Sequence, residues 1–312
     1  MTKMTHDKMT KSISSRAHRW GIILAGGDGT RLLPMTRRIN GDDRPKQFSA
    51  VLGGETLLDQ TRRRVAEIVD PCRTLLSLTA KHEPFFRKQA AAVPEQLLLI
   101  QPYNHGTAQA ILFSLMRLRK LDPDATVAYF PSDHYFANGS AFTRQIQDAF
   151  GGAERRPPNV VLLGIEADAP EESYGWIEPG GCLGKVFAVT RFWEKPSRTV
   201  AASLLDQGCL WNSFVMVGRV SAFLELFRNT MPELLAAFEA RQQHIGTSRE
   251  HAALTEIYNS TAAGNFSTQV LSTQTRHLSV LPGRNLGWSD LGEPNRVSAV
   301  QERVELAYAQ TA

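Results

Sequence analysis

Short apolar runs recur along the chain and alternate with segments whose apolar residues are spaced three or four positions apart. The runs predict strands at 20–25, 74–79, 97–101, 126–131, 159–166, 184–193 and 211–217. The spaced segments, such as ETLLDQTRRRVAEIV and GTAQAILFSLMRLRKL, predict amphipathic helices. Strands that alternate with helices favour a Rossmann-like α/β fold, in which a mostly parallel sheet carries helices on both faces.

The pattern changes about halfway along the chain. From about residue 170, a segment rich in glycine and proline, YGWIEPGGCLG, leads into a longer strand, and helices dominate 220–260. We therefore expect one folded domain over 20–312, with a first half at about 20–157 and a second half, a lobe that continues the sheet, at about 158–300. Residues 1–19 are polar and lack the apolar core of a signal peptide, so they are expected to form a disordered tail.

Charge and cysteine content narrow the classes of function. The chain has 35 basic and 31 acidic residues, a net charge of +4, and the basic residues do not form a stripe interleaved with aromatics. This favours a small anionic ligand over nucleic acid. The three cysteines lack metal-type spacing, which is typical of reduced thiols in a cytoplasmic protein. No apolar run approaches the roughly 18 residues that predict a membrane span, so no membrane partner is expected either.

A glycine-rich loop follows the first predicted strand, in GIILAGGDGTRLLPMTRRINGDDRPKQF (21–48). Gly26, Gly27 and Gly29 remove side chains where the strand turns, so that backbone N–H groups can approach an anion. Arg31 and Lys46 add positive charge suited to phosphate oxygens. The string does not fit a Walker A loop, because no lysine follows the glycines. It does not fit the dinucleotide-binding pattern either, because the third glycine of that pattern is missing. A tight turn with a solvated basic face is the simpler alternative.

This loop and several later segments resemble one enzyme family. LAGGDGTRLLPMT with RPKQF resembles the nucleotide-binding signature of sugar-1-phosphate nucleotidyltransferases, and its ending is similar to that of mannose-1-phosphate guanylyltransferases. Later segments resemble the same family: QPYNHGTAQAI on the nucleobase side, FPSDHYF and GWSDLGEP at the metal, and ESYGWIEPG, FWEKP and LWNSF around the sugar. The resemblance runs from about residue 20 to 297. It implies a GT-A-like nucleotidyltransferase domain whose first half binds the nucleotide and whose second half binds the sugar.

The resemblance also implies a reaction, in which a sugar 1-phosphate attacks the α-phosphorus of a nucleoside triphosphate with Mg²⁺ as cofactor and pyrophosphate leaves. The expected catalytic residues are Arg31, Lys46, Asp133 and Lys195. The expected nucleotide-binding residues are Ala25, Gly26, Gly27, Gly29, Thr30, Arg31, Gln101, Gly106 and Thr107. The expected sugar-phosphate-binding residues are Gly175, Glu194, Lys195 and Asn212, and the expected metal ligands are Asp133 and Asp290. Taken singly, an Asp after a strand is more often a turn or cap residue, and EKP is more often a surface turn. The ordered set favours the functional interpretation.

The first choice of substrates is GTP and mannose 1-phosphate, and the chain is expected to bind these small molecules as a possible homo-oligomer. Three departures leave the base and the sugar open. NHGTAQA stands where RNTAPA is typical, Phe214 follows WNS in place of glycine, and an acid is missing near Gln269. One alternative is a glucose-1-phosphate thymidylyl- or uridylyl-type transferase. Another is a non-catalytic sugar-nucleotide-binding homologue. The retention of both expected metal ligands and of the cations argues against it.

Overall fold

A nine-stranded sheet forms the centre of the part of the chain that the computed structural model describes, residues 17–311. Its strands are β1 (Arg19–Leu24), β2 (Thr74–Thr79), β3 (Leu98–Gln101), β4 (Thr126–Pro131), β6 (Val160–Glu166), β7 (Gly175–Cys182), β8 (Phe187–Glu194), β9 (Leu210–Arg219) and β10 (Leu278–Gly283). A separate two-stranded ladder joins β5 (Tyr135–Phe136) to β11 (Trp288–Ser289). Of the expected tail, residues 1–16 lie outside the described residues, and Arg19 already belongs to β1.

The two halves of the sheet differ in strand direction. The order is β3-β2-β1-β4-β9-β6-β10-β8-β7. In the first half, β1 runs parallel to β2 and β4, and β2 runs parallel to β3. In the second half, β9 is antiparallel to β4, β6 and β7, and β8 is antiparallel to β7 and β10, whereas β10 runs parallel to β6. The predicted α/β fold is confirmed, and its sheet is mixed because the second half adds antiparallel strands.

Helices cover both faces of this sheet, as predicted. They are α1 (Leu33–Asn40), α2 (Leu57–Ala66), α3 (Glu83–Ala90), α4 (Thr107–Leu121), α5 (Gly139–Arg155), α6 (Arg198–Asp206), α7 (Val220–Thr230), α8 (Pro232–Glu239), α9 (Glu250–Ser260) and α10 (Pro294–Thr311). Successive strand residues point to opposite faces. Ile22 accordingly joins an apolar core with Ile111 of α4, and Ile23 joins a second core with Ile146 of α5.

A small third core ties the end of the chain to the glycine-rich loop. Leu291, Val297 and Val300 pack there with Leu32 and Leu57. Val297 and Val300 are three residues apart and therefore share one face of α10. The last helix thus fixes the segment that carries Asp290 against the loop that carries Arg31. In the first half, the parallel strands end at one edge of the sheet, so the loops that follow β1, β2, β3 and β4 converge there.

Candidate active site

A cavity of about 510 Å³ opens where the strands of the first half end. Leu24, Gln101 and Pro131, the last residues of β1, β3 and β4, contribute to its wall. Six residues expected from the sequence line it: Gly26, Gly27, Gln101, Gly106, Thr107 and Asp133. The loop after β1, the start of α4 and the loop after β4 therefore surround one space, the usual position of a ligand in an open α/β sheet.

Side chains from neighbouring segments fix the peptide planes of the glycine-rich loop. Gln47, which is 1% exposed, donates from Nε2 to the carbonyls of Ala25 at 3.1 Å and Gly27 at 2.7 Å. Thr79 donates from Oγ1 to the carbonyl of Gly26 at 3.0 Å. Because these carbonyls are already bonded within the protein, the loop has its shape before a ligand arrives, which lowers the ordering cost of binding.

The three glycines of the loop are required for three different reasons. A Cβ atom on Gly26 would lie 2.8 Å from both Thr79 Oγ1 and Gln101 Nε2, so packing excludes it. Gly29 has a φ of +60°, a left-handed value that glycine adopts at little cost. A Cβ atom on Gly27 would meet no described protein atom within 4 Å. The protein itself therefore does not require glycine at Gly27, and the open space beside it belongs to the cavity.

The two cations of this region have different surroundings. The Arg31 side chain is 60% exposed and continues the loop as part of a single 3₁₀ turn that begins at Thr30. Lys46 is buried: its Nζ donates to the carbonyl of Asp290 at 2.7 Å and to that of the next residue at 2.9 Å. The same Nζ lies 3.3 Å from Asp133 Oδ2. Lys46 thus connects both expected metal ligands, whereas Arg31 can reorient toward a ligand.

Helix α2 holds the loop that carries Asp133. Thr61 Oγ1 donates to the carbonyl of Ser132 at 3.1 Å, and Arg64 Nη2 donates to the carbonyl of His134 at 3.0 Å. Thr61 and Arg64 are three residues apart on the helix, so both side chains face the loop. The backbone on both sides of Asp133 is thereby fixed, and its carboxylate stays at the wall of the cavity.

The ladder of β5 and β11 places the Asp133 and Asp290 loops side by side, because β5 follows Asp133 closely and β11 directly precedes Asp290. His134 lies within this contact, and its Nδ1 accepts a hydrogen bond from Trp288 Nε1 at 3.2 Å. Burial lowers the pKa of the His134 imidazole to about 4, although Asp133 and Asp290 favour the protonated form. Near pH 7 His134 is therefore a neutral hydrogen-bond acceptor with a structural role.

Asp290 accepts three hydrogen bonds on one carboxylate oxygen. Its Oδ1 lies 2.7 Å from Arg296 Nη1, 2.9 Å from the amide nitrogen of Gly292 and 3.0 Å from the hydroxyl of Tyr174. Burial alone would raise the pKa of the Asp290 carboxyl, yet its pKa is lowered. Since His134 is neutral, we attribute the lowering to the Arg296 cation and the Gly292 amide. Asp290 is an ionised carboxylate in a fixed orientation.

These two carboxylates fit a magnesium ion. Mg²⁺ prefers oxygen ligands and is often held by one or two carboxylates, with substrate phosphates and waters completing its shell. Asp133 borders the cavity, whereas Asp290 is not among the described residues that line it. Lys46 Nζ joins the two segments, because it contacts the Asp133 carboxylate and the backbone carbonyl of Asp290. Within residues 17–311, no group of three or more His, Cys, Asp or Glu side chains is suited to a metal ion. A metal bound here would therefore take its remaining ligands from the substrate and from water.

The residues expected to hold the sugar phosphate come together in the second half. Gly175 pairs with Glu194 across β7 and β8. A Cβ atom on Gly175 would lie 3.1 Å from Glu194 Oε2 and 3.3 Å from Asn212 Cβ, so glycine permits this approach. Burial raises the pKa of the Glu194 carboxyl, although the adjacent Lys195 opposes the shift. These four residues form a group of their own and are not among the described residues that line the 510 Å³ cavity.

On the expected nucleobase side, Gln101 forms part of the wall with its amide bonded to the protein. Its Oε1 accepts from the hydroxyl of Tyr258 at 3.0 Å, and its Nε2 donates to Ser77 Oγ at 3.2 Å. Gln101 is only 3% exposed. Its side chain therefore shapes the cavity, and direct contact with a base would require these hydrogen bonds to change.

The start of α4 forms the opposite wall. Gly106 has a φ of +97°, and a Cβ atom there would lie 2.2 Å from the carbonyl oxygen of Gly264. Thr107 Oγ1 accepts from the amide nitrogen of Phe266 at 2.9 Å. The loop around Gly264 and Asn265 is thus fastened to the helix start, and it lines the cavity as well.

Sequence reasoning missed the residues that orient the two carboxylates, namely Thr61, Arg64, Tyr174 and Arg296. Tyr174 lies inside the segment ESYGWIEPG, so the resemblance already contained a signal for it. Thr61 and Arg64 belong to an amphipathic helix, in which an arginine is expected on the solvent face. Arg296 follows the last recognised segment, and only the tertiary fold brings it to Asp290.

Comparison with known proteins agrees with this arrangement. Residues 20–305 match the nucleotidyl transferase family. The chain belongs to this family. It is 30% identical over 290 residues to the xanthan biosynthesis protein XanB of Xanthomonas campestris pv. campestris, covering 90% of this chain and 59% of XanB. It is 27% identical over 277 residues to the mannose-1-phosphate guanylyltransferase RfbM of Salmonella typhimurium, covering 87% of this chain and 56% of that protein. The chain therefore spans less than two thirds of these relatives.

A solved structure shares the fold of this family member. The mannose-1-phosphate geranyltransferase from Thermus thermophilus is 30% identical, with a TM-score of 0.77 over 88% of this chain and 76% of that protein. The resemblance drawn from the sequence is thus confirmed at the level of the family. Among the described residues, no helix is both long and apolar enough to cross a membrane.

Proposed function

We propose that this protein transfers a nucleotidyl group from a nucleoside triphosphate to a sugar 1-phosphate, giving a nucleotide sugar and pyrophosphate. The observation that carries the proposal is the meeting of three segments at Lys46 and Gln47, since Lys46 Nζ contacts Asp133 and the backbone at Asp290 while Gln47 Nε2 bonds to the carbonyl of Gly27. The glycine-rich loop, Asp133 and the backbone at Asp290 are far apart in the sequence, and the fold places them at one edge of the sheet. A structural ion pair alone would not require the open space beside Gly27.

The proposed reaction joins two anions, so positioning and charge neutralisation are the main tasks. An oxygen of the sugar 1-phosphate forms a bond to the α-phosphorus. The bond from that phosphorus to the β-phosphate oxygen breaks in line, and pyrophosphate leaves with the electron pair. When bound, Mg²⁺ would neutralise charge on the triphosphate and help to align it. No side chain has to remove a proton, because the attacking phosphate is already ionised.

Each group of residues has a proposed task in this step. The backbone of Gly26, Gly27 and Gly29, with Ala25 and Thr30 beside them, would hold the triphosphate. Arg31 would move onto the leaving pyrophosphate, since its exposed side chain can reach a ligand.

On the other side, Lys195 would bind the phosphate of the sugar. Glu194 would accept hydrogen bonds from sugar hydroxyls, and the Asn212 amide would donate to them. Asp133 and Asp290 would hold the Mg²⁺. Lys46 would balance the charge of Asp133 and keep the Asp290 segment in place.

For the substrates we propose GTP and mannose 1-phosphate. Support comes from the relative named mannose-1-phosphate guanylyltransferase, which is 27% identical to this chain. The RPKQF, FPSDH and WSDLG segments of this chain support the same choice. An unmatched buried polar group costs about 1–3 kcal/mol, so a preference of roughly tenfold or more for one base is expected.

A matrix assay tests the proposal. Pyrophosphate release is measured with GTP, ATP, UTP and dTTP, each combined with mannose 1-phosphate, glucose 1-phosphate or no sugar, with Mg²⁺ and after chelation. The expected maximum is GTP with mannose 1-phosphate, and the expected loss is complete without metal. A maximum with dTTP or UTP and glucose 1-phosphate would favour the alternative transferase. Absence of release in every combination would contradict the enzymatic proposal.

A further inference from the structure

Backbone strain in this protein concentrates at the candidate site. Four described residues other than glycine have a left-handed φ: Lys195 at 48°, Phe214 at 59°, Asn285 at 54° and Leu291 at 48°. Asparagine tolerates this conformation, whereas a bulky side chain in it is a genuine outlier. Three of the four belong to the candidate site or directly adjoin it. Such conformations persist only where the surroundings enforce them, and they occur preferentially at functional sites.

Specific hydrogen bonds hold Phe214 in this conformation. The amide nitrogen of Phe214 donates to Asn212 Oδ1 at 3.1 Å. Ser213 Oγ donates to the carbonyl of Leu163 at 2.6 Å and accepts from the amide of Val215 at 3.2 Å. The pairing of β6 with β9 shifts register at this point. The strand thus forms a local bulge, which re-aims one side chain.

The side chain that the bulge re-aims forms a wall of the cavity. Phe214 lines the 510 Å³ space together with Leu24 and Pro131. These three residues come from β1, β4 and β9, which are neighbours in the sheet, so they form a continuous floor. Two positions back along β9 lies Asn212, which belongs with Gly175 and Glu194 to the separate group outside the cavity. Phe214 therefore stands at the border between the expected nucleotide and sugar sides.

We propose that Phe214 determines which sugar 1-phosphates the site accepts, by closing the space into which a bulky ring substituent would extend. This inference rests on the proposed function. The backbone that carries the ring is fixed on both sides by the hydrogen bonds of Asn212 and Ser213, so the ring can move only by rotation about its own side-chain bonds. An aromatic face also suits the apolar face of an unsubstituted hexose ring. The accepted class is the hexose 1-phosphates, and the rejected class is the N-acylated amino-sugar 1-phosphates.

The test compares two substrates that differ at a single ring position. Glucose 1-phosphate and N-acetylglucosamine 1-phosphate differ only by an acylamino group in place of a hydroxyl. We expect the wild-type protein to favour the former, and we expect Phe214→Ala and Phe214→Gly to raise the kcat/KM ratio of the acylated to the plain substrate at least about tenfold. Phe214→Leu keeps a side chain in the wall and is expected to fall between them.

A comparison of the Phe214→Ala and Phe214→Gly variants also measures the cost of the left-handed backbone at this position. Both remove the ring, but only glycine removes the penalty of a left-handed φ. We expect Phe214→Gly to melt at a higher temperature than Phe214→Ala. Asn285→Gly is the matched control, since Asn285 has a similar φ and does not line the cavity. It should leave the substrate ratio unchanged.

The outcomes separate this inference from the function on which it rests. An unchanged substrate ratio in the glycine, alanine and leucine variants, with mannose 1-phosphate still consumed, would refute the role of Phe214 and leave the transferase proposal intact. Equal melting temperatures of the glycine and alanine variants would refute the strain. If the wild-type protein releases no pyrophosphate with any sugar 1-phosphate, the proposed function fails instead.

Discussion

The two halves of the molecule build their parts of the candidate site in different ways. In the first half, parallel strands end at one edge, and the loop with Gly26 and Gly27 presents backbone around an existing cavity. In the second half, mostly antiparallel strands bring side chains together by register, as with Gly175 and Glu194. The first arrangement suits phosphates, whose oxygens accept hydrogen bonds from free backbone N–H groups. The second suits a sugar, which is distinguished by individual hydroxyl groups.

The halves also differ in what holds them in shape. Neutral side-chain amide and hydroxyl groups, such as Gln47 and Thr79, brace the glycine-rich loop. On the expected sugar side, two residues other than glycine, Lys195 and Phe214, have a left-handed backbone φ. Backbone strain of this kind costs of order 1–3 kcal/mol per residue. It follows that substitutions in the first half should mainly affect binding of the nucleotide, whereas those in the second should change which sugar is used.

The largest effect is expected at the contact between the halves. Asp133→Asn removes one anionic oxygen ligand while keeping the shape of the side chain. Because the proposed metal has few protein ligands, we expect turnover to fall by two orders of magnitude or more, on the scale of losing one transition-state contact. Pyrophosphate release is measured against Mg²⁺ concentration.

A matched control for this substitution is Asp206→Asn, which changes an exposed carboxylate at the end of α6. It should retain normal turnover. Near-normal, magnesium-dependent activity of Asp133→Asn would contradict the assignment of Asp133 and Asp290 as the metal ligands.

The next effect separates the two halves directly. Lys195→Ala should chiefly raise KM for the sugar 1-phosphate, and Arg31→Ala should chiefly lower kcat by slowing departure of pyrophosphate. A hydrogen bond to a charged group contributes about 1.5–3 kcal/mol, so each change should be roughly tenfold to a hundredfold. Steady-state kinetics with each substrate varied in turn provides the measurement. If both variants lost only nucleotide affinity, the division between the halves would be wrong.

The smallest effect concerns acid sensitivity in the first half. His82 is 3% exposed, and its Nε2 lies 3.2 Å from Asp28 Oδ1 in the glycine-rich loop. Burial lowers the pKa of His82, although Asp28 favours the protonated form, and Lys81 adds to the lowering. The unfolded chain therefore binds more protons below about pH 6.5, and the free energy of unfolding should decrease as pH falls below that value.

Denaturant unfolding at pH 7 and pH 5 measures this dependence. His82→Gln removes the titrating group next to Phe48 and Asp28 and should flatten the slope. An unchanged slope would show that acid sensitivity arises elsewhere, and the contact with the loop would then have no part in it.

Much of the first half was predictable because local sequence determines it. All four strands predicted in the first half occur, and so does the predicted helix α2, which Thr56 caps by accepting from the amide of Asp59 at 3.2 Å. β10 was not predicted, since Pro282 and Gly283 interrupt its apolar run. Strand direction in the second half was not predictable either, because antiparallel pairing depends on contacts between distant segments.

The candidate site, too, could be predicted from the sequence only in part. Motifs predicted the loop glycines and Asp133 as site residues, because they lie shortly after the ends of β1 and β4. They could not reveal that Lys46 bonds to the backbone at Asp290, or that Arg296 orients the Asp290 carboxylate, since both contacts depend on how α10 packs. The left-handed φ of Phe214 likewise arises from the bulge in β9.

The most direct measurement is the affinity of the protein for GTP with Mg²⁺ after Gly27→Ala, determined by titration calorimetry. The control is Gly181→Ala, because a Cβ atom at either position meets no described atom within 4 Å and neither glycine has a left-handed φ. Both variants should melt like the wild type. Gly27→Ala should weaken GTP binding at least about tenfold, because one misplaced methyl group costs about 1–3 kcal/mol, while Gly181→Ala should bind GTP normally. Wild-type affinity in Gly27→Ala would contradict the placement of the triphosphate in the glycine-rich loop.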